Sequence, residues 1–130
     1  MSKTYNVSLD VYTDSVSLAE LASLCGCSPS AGSHSRGEIV SGRLWRTTRL
    51  RISSAADSEA TIDVHLKSIL AAIDSARIAQ AAAAVAGELA FDIAIFFDTP
   101  MASVTLPYAL LGELGLPISS IEVAAYPSDL

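Results

Sequence analysis

Apolar and polar residues alternate from Thr4 to Tyr12, with Tyr5, Val7, Leu9 and Val11 on one side and Asn6, Ser8 and Asp10 on the other. Period two predicts a strand with one buried face. Ser17 then precedes Leu18-Ala19-Glu20, a capping-box pattern in which the hydroxyl accepts from the third amide of the helix. Leu18, Leu21 and either Leu24 or Cys25 line one side of a short helix that Gly26 closes. Residues 28–42 hold Pro29, three glycines and five serines, which is loop composition with a short extended piece at Glu38–Val40. Arg43–Ser53 reads as a second long strand. Its alternation is imperfect, because Arg46 and Thr48 share parity with Leu44, Leu50 and Ile52, and a bulge near Trp45 would reconcile it.

The next region changes period. Ile62, Leu66, Ile69 and Ile73 recur at helical spacing, with Asp57 or Ser58 as the expected cap and Gly87 as the expected end. One helix over 57–86 would be about 45 Å long. A compact chain of this size is only about 36 Å across. A break near Asp74–Ser75 follows. Leu89, Phe91, Ile93, Ile95 and Phe97 alternate with Ala90, Asp92, Ala94 and Phe96, the clearest strand in the chain. Thr105 is the expected cap of a helix that carries Pro107 in its first turn and buries Leu106, Leu110, Leu111 and Leu114. Pro117 leads into a last strand over Ile118–Tyr126, and the tail from Pro127 is expected to fray.

Strand, helix, strand, helix, strand, helix, strand predicts one α+β domain over residues 1–130: a two-layer sandwich with a four- to five-stranded mixed or antiparallel sheet. Residues 4–26 and 89–115 echo each other, each running strand, acidic turn, hydroxyl cap, Leu-rich helix and Gly. They resemble the two halves of a split βαβ unit, the ferredoxin-like arrangement. Helices then lie on one face only, and the other face meets water or a partner.

The chain has 130 residues, of which 51% are hydrophobic, enough for a core without disulfides or metal. The net charge of −6 argues against general nucleic-acid binding. It is unevenly placed. Residues 1–77 carry 8 basic and 8 acidic residues, whereas residues 78–130 carry no base and six acids: Glu88, Asp92, Asp98, Glu113, Glu122 and Asp129. No signal-like apolar stretch follows Met1, and the charge-free run Thr99–Gly112 is short for a membrane span and holds two prolines. Two cysteines make no disulfide framework, so a cytoplasmic protein is expected.

Several motifs fail on inspection. Cys25-Gly26-Cys27 is spaced by one residue where structural zinc sites space their cysteines by two to four, so no metal is expected. Sequence neighbours that would lower a thiol pKa are absent until Arg36. Ser33-His34-Ser35-Arg36-Gly37 lacks the strand and helix that a nucleophile elbow needs, so His34 reads as a solvated loop residue. His65 reads as flanking the helix stripe. No phosphate-loop pattern occurs among the glycines. Arg36, Arg43, Arg46, Arg49 and Arg51 form a basic run; phosphate binding is one reading, and the simpler one is a solvated strand whose Arg49 and Arg51 pair across the sheet with carboxylates such as Asp10, Asp92 or Glu122. No pair of acids stands out for acid–base chemistry, so neither enzyme activity nor a cofactor is expected.

The segment Leu24-Cys25-Gly26-Cys27-Ser28-Pro29, then Arg36-Gly37-Glu38, the Trp-led Trp45-Arg46-Thr47-Thr48, His65-Leu66 and the closing Val104–Leu114 region resemble the bacterial domain-of-unknown-function family 4279 over nearly the whole chain. That family has no established activity, so the resemblance implies a fold and little chemistry. Small bacterial families of this type are similar to immunity proteins that neutralise a toxin.

The expectation is therefore a non-enzymatic protein-binding module, an immunity-type inhibitor of a basic toxin that docks through an acidic sheet face. Asp10, Tyr12, Asp92, Phe96, Glu122 and Tyr126 are the expected contact residues. Symmetric self-association through that face is a further option. The alternative is a small-molecule-sensing domain with residues 28–42 as a lid.

Overall fold

The computed structural model describes residues 3–98, 105–113 and 115–127. Its elements are β1 (Lys3–Thr13), α1 (Leu18–Cys25), β2 (Ile39–Val40), β3 (Arg43–Leu44), β4 (Thr48–Ser53), α2 (Ile62–Ala72), α3 (Ser75–Ala84), β5 (Glu88–Phe97), α4 (Tyr108–Glu113) and β6 (Ile118–Pro127). The architecture is α+β, a four-stranded mixed sheet in the order β4-β1-β5-β6 with helices packed on one face. β1 runs antiparallel to both β4 and β5, and β6 runs parallel to β5.

Because β4 and β5 both oppose β1, they are parallel to each other. The helices α2 and α3 connect them and β1 lies between, which is a split βαβ unit. It is not the unit the echo between residues 4–26 and 89–115 predicts. β5, α4 and β6 form an unsplit unit with adjacent parallel strands. The echo records local order, and local order does not choose a strand's neighbour.

In β1, β4 and β5 the apolar parity faces the helices, whereas Ile121 and Val123 of β6 are exposed. Val7, Leu9 and Val11, Leu50 and Ile52, and Leu89, Phe91, Ile93 and Ile95 meet Leu21 and Cys25 of α1, Ile62, Leu66 and Ile69 of α2, and Ile78 of α3 in one core. Each fully buried side chain of this size contributes about 1.5–3 kcal/mol. Ser17 Oγ accepts from the Glu20 amide and Gly26 ends α1 in a left-handed conformation, as the pattern predicts. Arg77 of α3 donates from Nε to the Leu24 carbonyl at 3.0 Å and from Nη2 to the Ser23 carbonyl at 2.9 Å, a cationic cap on the negative end of α1.

The long helical region breaks at Ile73-Asp74, where extended backbone at both residues lets Asp74 Oδ1 accept from the Arg77 amide. Three boundaries differ from expectation. Thr61, not Asp57 or Ser58, precedes α2; Asp57 instead accepts from the Glu59 amide within a preceding turn. α3 ends at Ala84 with Val85 as its cap, rather than at Gly87. The Pro107 carbonyl accepts from the Leu111 amide, so α4 starts just after Pro107. Leu106 and Leu111 pack on the core, whereas Leu114 and the side chain of Leu110 lie outside the described residues, as does the tail beyond Pro127.

The expected strand Arg43–Ser53 is two strands. β2 and β3 form a hairpin of their own, closed through Ser41 and Gly42, both with positive φ (53° and 78°), the geometry of a two-residue turn that follows strand twist. The interruption at residues 45–47 resets the parity. Leu44 is exposed, while Thr48, Leu50 and Ile52 face the core. Thr48 tolerates burial because its hydroxyl donates to the Val16 carbonyl at 2.7 Å and accepts from the Arg36 amide at 3.0 Å.

Candidate docking face

The even-numbered side chains of β1 point away from the helices, alongside Arg49 and Arg51 of β4, Ala90, Asp92, Ala94 and Phe96 of β5, and Glu122, Ala124 and Tyr126 of β6. This face divides into two halves.

On the β4–β1 half, Asp10 is fully buried at 0% exposure. Its carboxylate receives a two-pronged bond from Arg51, Nε to Oδ1 at 3.0 Å and Nη2 to Oδ2 at 2.9 Å. Ser8 Oγ donates at 3.0 Å and the Tyr12 hydroxyl at 3.3 Å. The same Arg51 Nη2 donates to Asp92 Oδ2 at 2.7 Å. Four donors offset the desolvation of one carboxylate. The bond to Asp10 reinforces the protonated state of Arg51. Burial, and then the Asp10 charge, push the Tyr12 hydroxyl pKa up.

Residues 30–34 seal this half. Along the outer edge of β4, the Ser30 amide donates to the Arg51 carbonyl, and His34 and Arg49 exchange backbone bonds at 3.0 and 2.9 Å. Arg49 folds back to place Nε and Nη2 on the Gly32 carbonyl at 2.9 and 2.6 Å. A Cβ on Gly32 would stand 3.1 Å from Arg51 Nη1, so the backbone approaches closely because no side chain intervenes. The stretch of loop composition stays irregular but is bonded along β4, with a single bridge at His34–Arg49, and Asp10 is inaccessible as a partner contact. This corrects the expectation for that residue; Tyr12 is half-buried beside it.

The β5–β6 half is bare. Phe96 and Tyr126 are register partners and stack with ring centroids 5.3 Å apart. Ala94 pairs with Ala124, and Asp92 with Glu122. Tyr126 is 49% exposed and the Asp92 side chain 29%. Four of the six expected contact residues, Asp92, Phe96, Glu122 and Tyr126, thus share one surface with a flat alanine floor. Among the described residues this half presents no Lys or Arg.

Other side chains differ from their sequence reading. His34 is 3% exposed, not solvated, and stacks on Trp45 at 3.9 Å. Burial and then the Arg49 charge lower its pKa, against the Thr47 carbonyl and Glu38. His65 is buried within the α2 stripe and bonds through Nδ1 to Ser54 Oγ at 2.8 Å; burial lowers its pKa too. Burial raises Cys25 to about 11 and lifts Cys27 also, outweighing the Arg77 charge that three-dimensional packing brings near both. These thiols are protonated at neutral pH. Of the arginine run, only Arg51 reaches a carboxylate among the described residues.

Between β1, residues 53–58 and α2 lies a cleft of about 390 Å³ bordered by Tyr5, Ser8, Arg51, Ser54, His65 and Asp92. No helix among the described residues is long and apolar enough to cross a membrane. Compared with family models, curated proteins and solved structures, the chain matches none.

Proposed function

We propose that the protein is a non-enzymatic, cytoplasmic binding module that docks a basic protein partner on the bare β5–β6 half of its sheet, in the manner of an immunity-type inhibitor of a basic toxin. The observation that carries this reading is the Phe96–Tyr126 stack beside the Asp92–Glu122 carboxylate pair, on a floor of alanines that no element of the described chain covers. Exposed aromatics supply rigid contact area, and the Glu122 carboxylate, which no cation among the described residues offsets, draws in cations and raises the association rate. The same acids disfavour self-association through this face, since a second copy would bring carboxylates against carboxylates. The resemblance to family 4279 supports the reading by association only.

The test is affinity capture from the host followed by titration of the captured protein. Asp92 anchors Arg51, so substitution there mixes folding with binding; Glu122→Lys/Tyr126→Ala confines the change to the surface. The expected partner is basic, binds more tightly at low salt and is lost by the double variant. An acidic partner, or one the double variant retains, refutes the reading.

The cleft at Tyr5, Arg51 and His65 favours a second reading, a small-molecule sensor. Residues 30–34 are bonded to β4 and do not serve as a free lid. A ligand there would raise the melting temperature by binding only the native state, and a metabolite screen reads that directly.

A further inference from the structure

A different part of the molecule concentrates uncompensated positive charge. Where the β2–β3 hairpin meets β1, a notch of about 340 Å³ is lined by Tyr12, His34, Arg43, Trp45 and Arg46 and by no acidic residue. Its size lies in the range of small-ligand sites. Arg43 lies over the Trp45 ring with its guanidinium carbon 4.2 Å from the centroid. Arg43 and Arg46 are exposed, and neither reaches a carboxylate among the described residues. Beside them Trp45 Nε1 is buried with no hydrogen-bond partner, and neither His34 nitrogen makes a hydrogen bond of good geometry, although the Thr47 carbonyl faces the ring. Buried polar groups are nearly always hydrogen-bonded, so an unpaired donor at Trp45 beside an unpaired imidazole asks for a partner. Trp Nε1 is a donor only, and a neutral imidazole carries one donor and one acceptor.

We propose that this notch binds a phosphate monoester, with Arg43 and Arg46 matching its charge and Trp45 Nε1 and the His34 ring donating to its oxygens after a small side-chain adjustment. Two free guanidinium groups fit a dianion better than a monoanionic carboxylate, and their planar forks fit phosphate oxygens in pairs. Two sources share this chemistry, a soluble sugar phosphate and the headgroup of an anionic lipid. The second enters because Ile39, Val40 and Leu44 are exposed on the same hairpin. The site is separate from the β5–β6 face and does not depend on its function.

Trp45 is the sole tryptophan, so its emission reports on the notch directly. The probes are ribose 5-phosphate and vesicles of phosphatidylcholine with and without phosphatidic acid, at constant ionic strength. Ribose and sodium acetate are the controls, and calorimetry gives an independent readout. One arm or both should saturate at one site per chain, with at least tenfold weaker binding in Arg43→Ala/Arg46→Ala and no response to ribose or acetate. Saturation with ribose 5-phosphate identifies a soluble source, and saturation only with phosphatidic acid identifies a lipid. Both arginines are exposed, so the variant should keep its melting temperature, which is measured alongside. Absence of saturation in both arms by both readouts, or saturation that the double variant retains, overturns the proposal.

Discussion

The two halves of the open sheet face carry similar residue types to different ends. On the β4–β1 half, an acid, a tyrosine and two arginines are tied to one another and to residues 30–34, and the polar groups hold the chain together. On the β5–β6 half, Glu122, Tyr126, Phe96 and the Ala94–Ala124 pair lie on the same pleated surface with no such network among the described residues, and only Asp92 is reached by Arg51. Proximity to a basic edge strand decides the difference. β4 brings arginines beside β1, whereas β6, an edge strand from the acidic C-terminal segment, brings Glu122 beside Asp92.

The largest expected effect comes from cutting the closed half at its hub. Arg51→Ala leaves Asp10 buried with only hydroxyl donors, which costs about 3–5 kcal/mol and about 10–20 °C in melting temperature. Asp92→Ala removes a partner that is partly in solvent, and about 1 kcal/mol or less is expected. Denaturant titration of the two variants compares the halves on one scale. Equal losses would mean that the network is not centred on Asp10. The double variant Asp10→Leu/Arg51→Met should recover much of the single-variant loss, since it leaves no charge buried alone.

Acid comes next, and it acts away from the bare half, which holds no histidine. His34 faces Arg49, Arg43, Glu38 and the Thr47 carbonyl; His65 faces Ser54, Tyr5, Asp57 and the carbonyls of Ser58 and Ala60. Both have pKa values lowered in the folded state, chiefly by burial. The unfolded chain therefore binds protons first as pH falls. Stability is full above the unfolded value near 6.5 and declines below it until the folded values are passed, by up to about 1.4 kcal/mol per pH unit for each histidine. Melting temperatures measured from pH 7.5 to 5 should fall, and His34→Gln or His65→Gln should flatten the slope. A flat wild-type profile in that window would show that neither ring is held neutral.

Thr48→Val tests how the irregular segment is fastened to the closed half. It removes the bonds to the Val16 carbonyl and from the Arg36 amide while keeping the side chain's shape. A loss of about 1–2 kcal/mol is expected, with faster amide exchange at Arg36 and His34.

These effects track what the sequence makes legible. Alternation and capping placed β1, β5 and β6, the first helix and the break at Asp74, because period and cap chemistry are local, whereas the expected strand over Arg43–Ser53 divided in two. The bare half was legible for the same reason: Asp92, Phe96, Glu122 and Tyr126 follow from parity alone. The closed half was not. Asp10 lies on the polar parity of β1, and its burial depends on a backbone 22 residues further on passing over Arg51 at Gly32. His34 sits among serines and glycines, and only its stacking with Trp45 buries it. Arg77 reaches α1 from another helix. Such contacts join distant segments, and composition carries no trace of them except the unexplained break in parity at Trp45.

The smallest expected effect separates the halves most sharply, because its sign is opposite. Asp92 and Glu122 are register partners of like charge, and only Asp92 has an arginine to offset it. Glu122→Gln should therefore stabilise the fold by about 0.2–0.5 kcal/mol, about 1–2 °C in melting temperature, and less at high salt. No residue of the Asp10 network should behave this way. A carboxylate whose removal strengthens the fold has its use outside the folded chain, and Glu122→Gln should accordingly weaken capture of the basic partner while raising the melting temperature. If the variant instead lowers the melting temperature, Glu122 belongs to the internal network and the bare half loses its acid.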